Sequence, residues 1–345
     1  TYSENRGYQI RYPLNLSEGG RFMSYLELHP MRAVDFDYIN ATEDEWQDPN
    51  YVYEEKYDGE RQLIHIMNDG IYMTGRRVST VTGKLPEKGA YVPQLTDFDI
   101  PELYGTVLDG ELIHPDGNFD LLRSIMGSGT AERAIKLQVE NGFLRYIAFD
   151  ILYYKGVNVM KLPFRQRRKY LEKAYMDYKT YAGNYLQIAT QYTPELWDIK
   201  LLFQDIIDRG GEGLMRKRLD GIYKLCDGSK RSSDIQKLKK ILTLDGVVIG
   251  YEYGKGKYNK DKIAKLVMGQ YKDGKLVERA SFDGFPQEMI EDMTQNPNKY
   301  IGRVVEIKCN EILKSGKLRH PKFYRWRDDK DPKQCTWDYN TIRVK

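Results

Sequence analysis

The most informative segment of this 345-residue chain reads Glu54-Glu55-Lys56-Tyr57-Asp58-Gly59-Glu60-Arg61. It continues a short predicted strand that begins at Tyr51, and a turn is expected directly after the lysine. A lysine at a strand-to-loop junction can serve as a nucleophile once burial or neighbouring cations have removed the proton from its amine. Surface turns of this composition are common, so the segment alone does not establish a chemistry.

Side chains suited to chemistry recur in five later segments. The segments are Leu108-Asp109-Gly110-Glu111-Leu112, Phe149-Asp150-Ile151-Leu152, Glu212-Gly213-Leu214-Met215-Arg216-Lys217, Lys237-Leu238-Lys239, and Arg319-His320-Pro321-Lys322-Phe323 with Arg327-Asp328-Asp329-Lys330. Since alternate residues of a strand share one face, Lys237 and Lys239 are predicted to lie side by side. Taken singly, each segment also has an ordinary structural explanation, as hairpin acids, a core aromatic or a solvated strand face.

The pattern of apolar and polar residues predicts an α+β fold, in which helices lie against antiparallel strands. Predicted strands cover 51–54, 61–66, 70–74, 106–114 and 145–153, and predicted helices cover 163–178 and 196–208. Residues 1–30 are expected to form a loosely organised lead-in. An acidic helix or loop is expected at 37–50, and a polar, glycine-rich insertion at 123–134.

The sequence changes character after Lys240, and we expect a domain boundary near 240–244. Short strands are predicted at 246–251, 264–269 and 303–308, with one short helix near 286–294. Several short strands and one helix within about 100 residues are typical of a small, partly open OB-type barrel.

Composition narrows the class of protein. Hydrophobic residues make up 41% and charged residues 30%, which suits a globular protein with a substantial core. No run of 18 apolar residues occurs, which excludes a membrane-spanning helix. Cys226, Cys309 and Cys335 are far apart in sequence, so neither a disulfide framework nor a cysteine zinc site is expected. A reducing cytoplasm is the expected compartment.

The charge is unevenly distributed along the chain. The net charge is +4, but from Ile241 onward 21 basic residues stand against 15 acidic ones. This basic C-terminal third is compatible with a polyanionic partner, but on charge alone an ordinary lysine-rich surface is the better explanation.

Taken together and in this order, the six segments resemble the covalent nucleotidyltransferase superfamily and, within it, the compact ATP-dependent DNA ligases of phages and large viruses. The likeness extends from residue 50 to about residue 330. It implies an ATP-grasp-like nucleotidyltransferase (adenylation) domain over 1–240 and an OB-fold domain over 241–345. The Arg319-His320-Pro321 and Arg327-x-Asp329-Lys330 pieces favour DNA ligases over capping enzymes.

The resemblance implies a three-step reaction that seals a nick in duplex DNA. Lys56 attacks the α-phosphorus of ATP, expels pyrophosphate and becomes Lys56-AMP. The AMP then passes to the 5′-phosphate at the nick, and finally the 3′-hydroxyl attacks that phosphate and releases AMP. Such enzymes act in DNA replication, repair and recombination.

The resemblance also implies a role for each matching side chain, and phosphoryl transfer relies mainly on positioning and charge neutralisation. The phosphate and metal set comprises Lys237 and Lys239 on the α-phosphate, with Asp58, Glu111 and Glu212 near Mg²⁺, for which Mn²⁺ can substitute. The nucleotide set comprises Glu54, Phe149 stacked on adenine, Glu111 and Arg61 at the ribose, and Arg77 with Arg61 on nick phosphates. The leaving-group set comprises Arg327 and Lys330, which implies a hinge near Lys240–Asp245.

The expected partner is nicked double-stranded DNA, bound by a monomer with no membrane association. The region before residue 50 does not resemble the DNA-encircling domain of cellular ligases, so we expect the two domains to hold DNA themselves. Candidate phosphate surfaces are the helix with Arg165, Arg167, Arg168 and Lys169 and the loop 254–262. If the gene is phage-borne, the compartment is the host cytoplasm.

Three other functions remain open at this point. An mRNA-capping guanylyltransferase would use the same lysine with GTP. An RNA ligase would share the ATP step but prefer RNA ends. A non-catalytic OB-fold protein that binds single strands would need no reactive Lys56.

Overall fold

The computed structural model describes residues 25–80, 82–226, 228, 230–255, 260–309, 311–312, 316–338 and 343–344. Two compact units meet in sequence between Lys239 and Lys240. Most of the lead-in predicted at 1–30 and the centre of the loop 254–262 lie outside the described residues. Within the described residues, every helix is too short or too polar to cross a membrane.

The first unit combines short and long strands with helices. Its strands are β1 (Ala33–Asp35), β2 (Tyr51–Glu55), β3 (Glu60–Met67), β4 (Gly70–Gly75), β5 (Thr106–Ile113), β6 (Arg145–Tyr154), β7 (Val157–Asn158), β8 (Leu186–Ile188), β9 (Gln191–Tyr192), β10 (Gly213–Arg218) and β11 (Ser232–Lys239). Its α-helices are α1 (Glu43–Trp46), α2 (Pro93–Thr96), α3 (Phe119–Met126), α4 (Ala131–Asn141), α5 (Phe164–Ala182) and α6 (Ile199–Asp208). Short 3₁₀ turns lie at Gly89–Tyr91, Pro101–Leu103 and Gly183–Tyr185.

Two sheets form the frame of this unit. One has the order β1-β11-β10-β2-β9, and the other the order β4-β3-β5-β6-β7 with β8 beside β6. The pairings are antiparallel except for β1 with β11 and β6 with β8. Apolar residues from both sheets, among them Leu63, Val107 and Ile235, pack into one buried cluster. The sheets therefore face each other, and the candidate site lies along this junction.

Helices α2 to α5 cover the outer face of the second sheet, whereas α6 contacts β10 of the first sheet. Leu171, Ala174 and Tyr178 on one side of α5 join a buried cluster with Ile64 and Leu108 of the sheet. The predicted helix at 163–178 is confirmed and continues to Ala182. The helix predicted at 196–208 begins later, at Ile199, because the Asp198 side chain accepts a hydrogen bond from the backbone of Leu201.

The prediction of a polar insertion at 123–134 is wrong, because this segment joins two helices. Asn118 caps α3 and Thr130 caps α4, each by accepting a backbone N–H bond with its side chain. Leu122, Ile125 and Ala134 are buried in the main core of the unit. The acidic segment 37–50 forms only one short helix, α1, which ends at the buried Trp46.

The second unit is an OB-fold β-barrel. Its elements are β12 (Leu242–Tyr253), β13 (Ile263–Lys272), β14 (Lys275–Phe282), α7 (Gln287–Gln295), a 3₁₀ turn (Pro297–Lys299), β15 (Val304–Cys309), β16 (Glu311–Ile312), β17 (Leu318–Arg319), β18 (Lys322–Trp326), a 3₁₀ turn (Pro332–Gln334) and β19 (Arg343–Val344). The main sheet has the order β14-β13-β12-β15-β18. A bridge between Asp283 and Lys322 joins its two ends, and α7 lies between β14 and β15 in sequence. The strands predicted at 246–251 and 264–269 lie within the longer β12 and β13, and the strand predicted at 303–308 and the helix predicted near 286–294 are observed one residue further along the chain, as β15 and α7.

Candidate active site

Lys56 lies directly after β2, where the chain turns toward β3. Its backbone N–H still donates to the carbonyl of Gly213, 2.9 Å away, so the lysine is held at the sheet edge. The turn needs a glycine at position 59, because a Cβ atom there would lie 2.3 Å from the Leu112 carbonyl oxygen and 2.7 Å from Cγ of Glu111. Gly59 therefore brings the lysine turn against the strand that carries Glu111.

Glu212 links Lys56 to Lys239. Its Oε2 accepts from Lys56 Nζ at 2.6 Å, and its Oε1 lies 2.8 Å from Lys239 Nζ. Burial alone would raise the pKa of Glu212, but Lys56 and Lys239 outweigh it and hold that pKa below its ordinary value. Gly213 allows β10 to lie close to β11 at this point, since its φ is +137° and a Cβ atom would lie 2.0 Å from the Leu238 carbonyl oxygen.

Lys237 lies on the same face of β11 as Lys239, as alternation predicts. Its Nζ lies 3.2 Å from Oδ1 of the exposed Asp35, which the paired strand β1 supplies. Partial burial lowers the pKa of Lys237, against the opposing effect of Asp35. A lysine amine beside a second one is suited to binding a phosphate.

Arg61 and Glu111 lie opposite each other in the register of β3 and β5. Arg61 donates from Nε and Nη2 to the two oxygens of Asp109, at 2.8 and 2.5 Å, and from Nη1 to the carbonyl of Met31. Burial raises the pKa of Glu111 to about 8, although Lys56 and Arg61 oppose the shift. This shift favours the protonated form of Glu111 near neutral pH, and a further cation beside Glu111 would oppose it.

Phe149 lies on β6 with its ring half-buried between cationic side chains. The ring centroid is 5.3 Å from the Arg61 guanidinium and 4.6 Å from Nζ of Lys217. Lys217 also lies 2.6 Å from Oε2 of Glu54, which is on the same face of its strand as Lys56. Lys217 thus connects the ring of Phe149 with the carboxylate of Glu54, and we call Phe149, Glu54 and the neighbouring Lys56 the slot.

Arg77 lies in a second, basic part of the site. It lines a cleft of about 540 Å³. The other lining residues are His29, Pro30, Arg32, Arg76, Cys226 and Gly228. Partial burial and the guanidinium groups of Arg61, Arg32 and Arg77 lower the pKa of Arg76. Such a concentration of positive charge fits a multiply charged anion.

Arg327 and Lys330 lie in the second unit and converge on Asp245. Oδ2 of this buried carboxylate lies 2.7 Å from Lys330 Nζ and 3.2 Å from Nη1 of Arg327. Arg327 also donates from Nε and Nη2 to the two carboxylate oxygens of Asp329, each at 2.8 Å. The two cations are thereby fixed next to each other.

The carboxylates suit a metal ion that is shared with phosphate. In the part of the chain that the structure describes, no group of three or more acidic, histidine or cysteine side chains could hold a metal ion by itself, so Asp58, Glu111 and Glu212 do not form such a cluster. Asp58 is exposed on the lysine turn. Mg²⁺ normally takes one or two carboxylates and completes its shell with substrate phosphates and water, and this donor set fits that use.

Sequence reasoning missed several residues that shape the site. The sequence assigns no role to Asp109, yet Asp109 is the buried partner of Arg61. Asp35, Arg32 and Arg76 were likewise not assigned, because their relevance depends on which strands and loops meet. The one local indication for Asp109 was its place two residues before the candidate site acid Glu111, in Asp109-Gly110-Glu111.

Comparison with known proteins identifies the family to which the chain belongs. The ATP dependent DNA ligase domain family matches residues 30–239, more than half of the chain, and the chain belongs to that family. The DNA ligase of Saccharolobus islandicus (strain Y.G.57.14 / Yellowstone #1) is 29% identical over 334 residues, covering 81% of this chain and 53% of the relative. That of Saccharolobus solfataricus is 28% identical over 342 residues, covering 83% and 54%. The chain thus spans about half the length of these curated relatives.

Solved structures show the same fold. A structure of a Lig E DNA ligase, described as binding DNA with a minimal scaffold, superimposes with a TM-score of 0.56 at 21% identity and covers 87% of this chain and 99% of its own. A protein designated Pmar-Lig gives a TM-score of 0.59 at 19% identity, covering 88% and 68%. At these identities the likeness concerns the fold.

Proposed function

We propose that this protein is an ATP-dependent DNA ligase that joins the 3′-hydroxyl and 5′-phosphate ends at a nick in duplex DNA. Residues 1–240 form the adenylation domain and 241–345 the OB-fold domain of this enzyme. The observation that carries the proposal is the arrangement of Lys56 Nζ, 2.6 Å from Glu212, whose other oxygen binds Lys239. The chain belongs to a family of ATP-dependent DNA ligases, and the Lys56 amine in this position is suited to accept adenylate.

The first step forms a bond between Lys56 Nζ and the α-phosphorus of ATP and breaks the bond from that phosphorus to pyrophosphate. The attacking amine must give up a proton, and Glu212 Oε2 is in hydrogen-bond contact with it. Lys237 and Lys239 neutralise the α-phosphate oxygens as charge develops on them. Mg²⁺, near Asp58, Glu111 and Glu212, supplies further charge neutralisation when bound with the nucleotide.

The nucleoside is held in the slot next to Lys56. Adenine stacks on the half-buried ring of Phe149, with Glu54 near its edge, while Arg61 and Glu111 contact the ribose. Arg61 is fixed in place by both oxygens of Asp109. We assign Arg327 and Lys330 to the pyrophosphate on the basis of the family resemblance, and their shared contact with Asp245 keeps the two cations adjacent.

The second and third steps use the DNA nick. AMP passes from Lys56 to the 5′-phosphate, and the 3′-hydroxyl then displaces it to form the phosphodiester. The arginine cleft with Arg32, Arg76 and Arg77 is the part of the site that suits a nick phosphate. We propose a monomer, and a reducing cytoplasm, which agrees with three free cysteines.

A gel assay tests this function against its alternatives. The protein is incubated with Mg²⁺ and α-labelled ATP or GTP, and then with a duplex that carries one nick in DNA or one with an RNA strand. We expect a labelled protein with ATP, loss of the label when nicked DNA is added, and a sealed DNA product. Labelling by GTP alone would indicate a capping enzyme, sealing of RNA ends alone an RNA ligase, and no labelling a non-catalytic protein.

A further inference from the structure

Tyr223 is a buried tyrosine to which the reaction outlined above gives no role. It lies in the segment between β10 and β11, and only 4% of its surface is exposed. Its backbone N–H donates to the carbonyl of Met160 at 2.8 Å, and its ring packs in the buried cluster that contains Leu63 and Ile235. The ring is therefore held in place by apolar packing that does not depend on its hydroxyl group.

The Tyr223 hydroxyl lies at the centre of a small hydrogen-bond network. It donates to Oδ2 of Asp109 at 2.6 Å, and it accepts from the backbone N–H of Met31 at 3.1 Å and from Nη2 of Arg61 at 3.4 Å. Burial and the neighbouring Asp109 raise the pKa of Tyr223 well above its ordinary value, so the hydroxyl keeps the proton that it donates. A hydroxyl offers one donor and two acceptor positions, and the protein uses each of them.

Two of these partners, Asp109 and Met31, also anchor Arg61. Asp109 accepts two bonds from the guanidinium, and the Met31 carbonyl accepts a third at 2.6 Å. With the contact to Tyr223, four of the five guanidinium N–H groups have partners among the described residues, which leaves one N–H on Nη1 for substrate. The direction of this N–H depends on the positions of Asp109 and Met31, and Tyr223 binds both.

We propose that Tyr223 is a positioning residue whose hydroxyl fixes the Arg61 guanidinium toward the ribose of the nucleotide. This inference rests on the proposed function, because it concerns the nucleotide that reacts with Lys56. Tyr223 acts on that nucleotide only through the groups that hold Arg61. Without the hydroxyl, the buried Met31 N–H loses its acceptor and Asp109 loses one of its hydrogen bonds. Arg61 is then held less precisely, and its contact with the ribose weakens.

The test measures the formation of adenylyl-lysine by the wild type and by Tyr223→Phe, which removes only the hydroxyl oxygen. Rates are followed with Mg²⁺ over a range of ATP concentrations, so that KM and the maximal rate are obtained separately. We expect KM to rise roughly fivefold, the order of magnitude of one hydrogen bond. The maximal rate should change by less than about twofold, because a contact with the ribose is made equally in the ground state and in the transition state.

Two nucleotide analogues show whether the effect passes through the ribose. 2′-Deoxy-ATP and 3′-deoxy-ATP each lack one of the ribose hydroxyl groups. We expect Tyr223→Phe to raise KM less for at least one of them than for ATP, because the contact made by Arg61 is already missing from that analogue. An equal rise in KM for all three nucleotides would place the effect of Tyr223 on the fold as a whole and would overturn the proposal.

Tyr178→Phe is the matched control. Tyr178 is fully buried on α5, and its hydroxyl donates to the backbone carbonyl of Leu95 within the main core of the unit. The same substitution thus removes a buried hydroxyl at a place away from the hydrogen bonds of Arg61. We expect a comparable loss of thermal stability, with KM unchanged for all three nucleotides. A rise in KM as large as that of Tyr223→Phe would assign both effects to general destabilisation and would contradict the positioning role.

The outcomes separate this inference from the proposed function. A wild type that forms no adenylyl-lysine would overturn both. A wild type that reacts with ATP but has the same KM for all three nucleotides would overturn only the positioning role, and this measurement decides the matter even if Tyr223→Phe does not fold. An unchanged KM for ATP in a folded Tyr223→Phe variant would likewise overturn the positioning role alone.

Discussion

Replacing Asp109 with asparagine tests how the protein supports Arg61. Asp109 is fully buried and accepts two bonds from Arg61 and one from the hydroxyl of Tyr223 at 2.6 Å. The Arg61 side chain is only 16% exposed, so the substitution leaves its charge in place without a counter-charge. Breaking a buried ion pair from one side costs about 3–5 kcal/mol of unfolding free energy.

Chemical denaturation provides the measurement. Because the protein has two compact units, the transition of the first unit is followed by hydrogen exchange of peptides from β3 and β5. We expect Asp109→Asn to lower its midpoint strongly and to abolish reaction at Lys56. The double variant Arg61→Met with Asp109→Leu, which removes both charges, is expected to recover much of the stability but none of the reaction.

Two results would contradict the role given to the Arg61–Asp109 ion pair. A loss below about 1 kcal/mol for Asp109→Asn would mean that the pair is screened as at a surface. If the double variant is as unstable as the sum of its own single variants, Arg61→Met and Asp109→Leu, then Arg61 and Asp109 do not depend on each other. Either result would contradict the structural basis given for the ribose contact of Arg61.

Three further predictions concern the turn, a buried histidine and the arginine cleft. Gly59→Ala is expected to destabilise the first unit and to prevent labelling at Lys56, because the added Cβ atom would lie 2.3 Å from a carbonyl oxygen. In the control variant Gly250→Ala the nearest atom to the added Cβ is 3.8 Å away, so we expect its thermal melt to be unchanged. Burial lowers the pKa of His65 to about 3, so the unfolded chain binds the extra proton below pH 6.5 and stability is lost as the pH falls. The loss at pH 5 should be about 2 kcal/mol relative to pH 7, and an acid-denaturation series in which His65→Gln keeps the same pH slope would contradict this. Arg76→Ala should weaken binding to nicked DNA and reduce the slope of log K against log salt by about 0.9, and an unchanged slope would remove this arginine from the phosphate contacts.

The sequence predicted those parts of the site that depend on local pattern. The strand before Lys56 and the shared face of Lys237 and Lys239 follow from alternation, and the structure has both. The Lys56–Glu212 contact joins residues 156 positions apart, and only the family resemblance suggested it. The physical reason for it, a glycine at 213 that lets β10 approach β11, became visible only in the fold.

Other features could not be read from the chain. Asp109 can bind Arg61 because β3 and β5 pair in a register that places Glu111 directly opposite Arg61. This register cannot be inferred from the sequence of either strand alone. The helices α3 and α4 were missed because Gly127 and Gly129 suggested a loop, although Asn118 and Thr130 carried the capping signals. Lys217 was recognised as part of a segment, but its partners Glu54 and Phe149 come from two different sheets.

The most direct test of the central claim is the position of the covalent adenylate. The protein is incubated with ATP and Mg²⁺, digested, and its peptides are sequenced by mass spectrometry. We predict a single adenylate on Lys56 that is absent from the Lys56→Met variant and is lost when nicked DNA is added. An adenylate on Lys237 or Lys239 instead, or a protein that seals nicks without any adenylate on Lys56, would contradict the account.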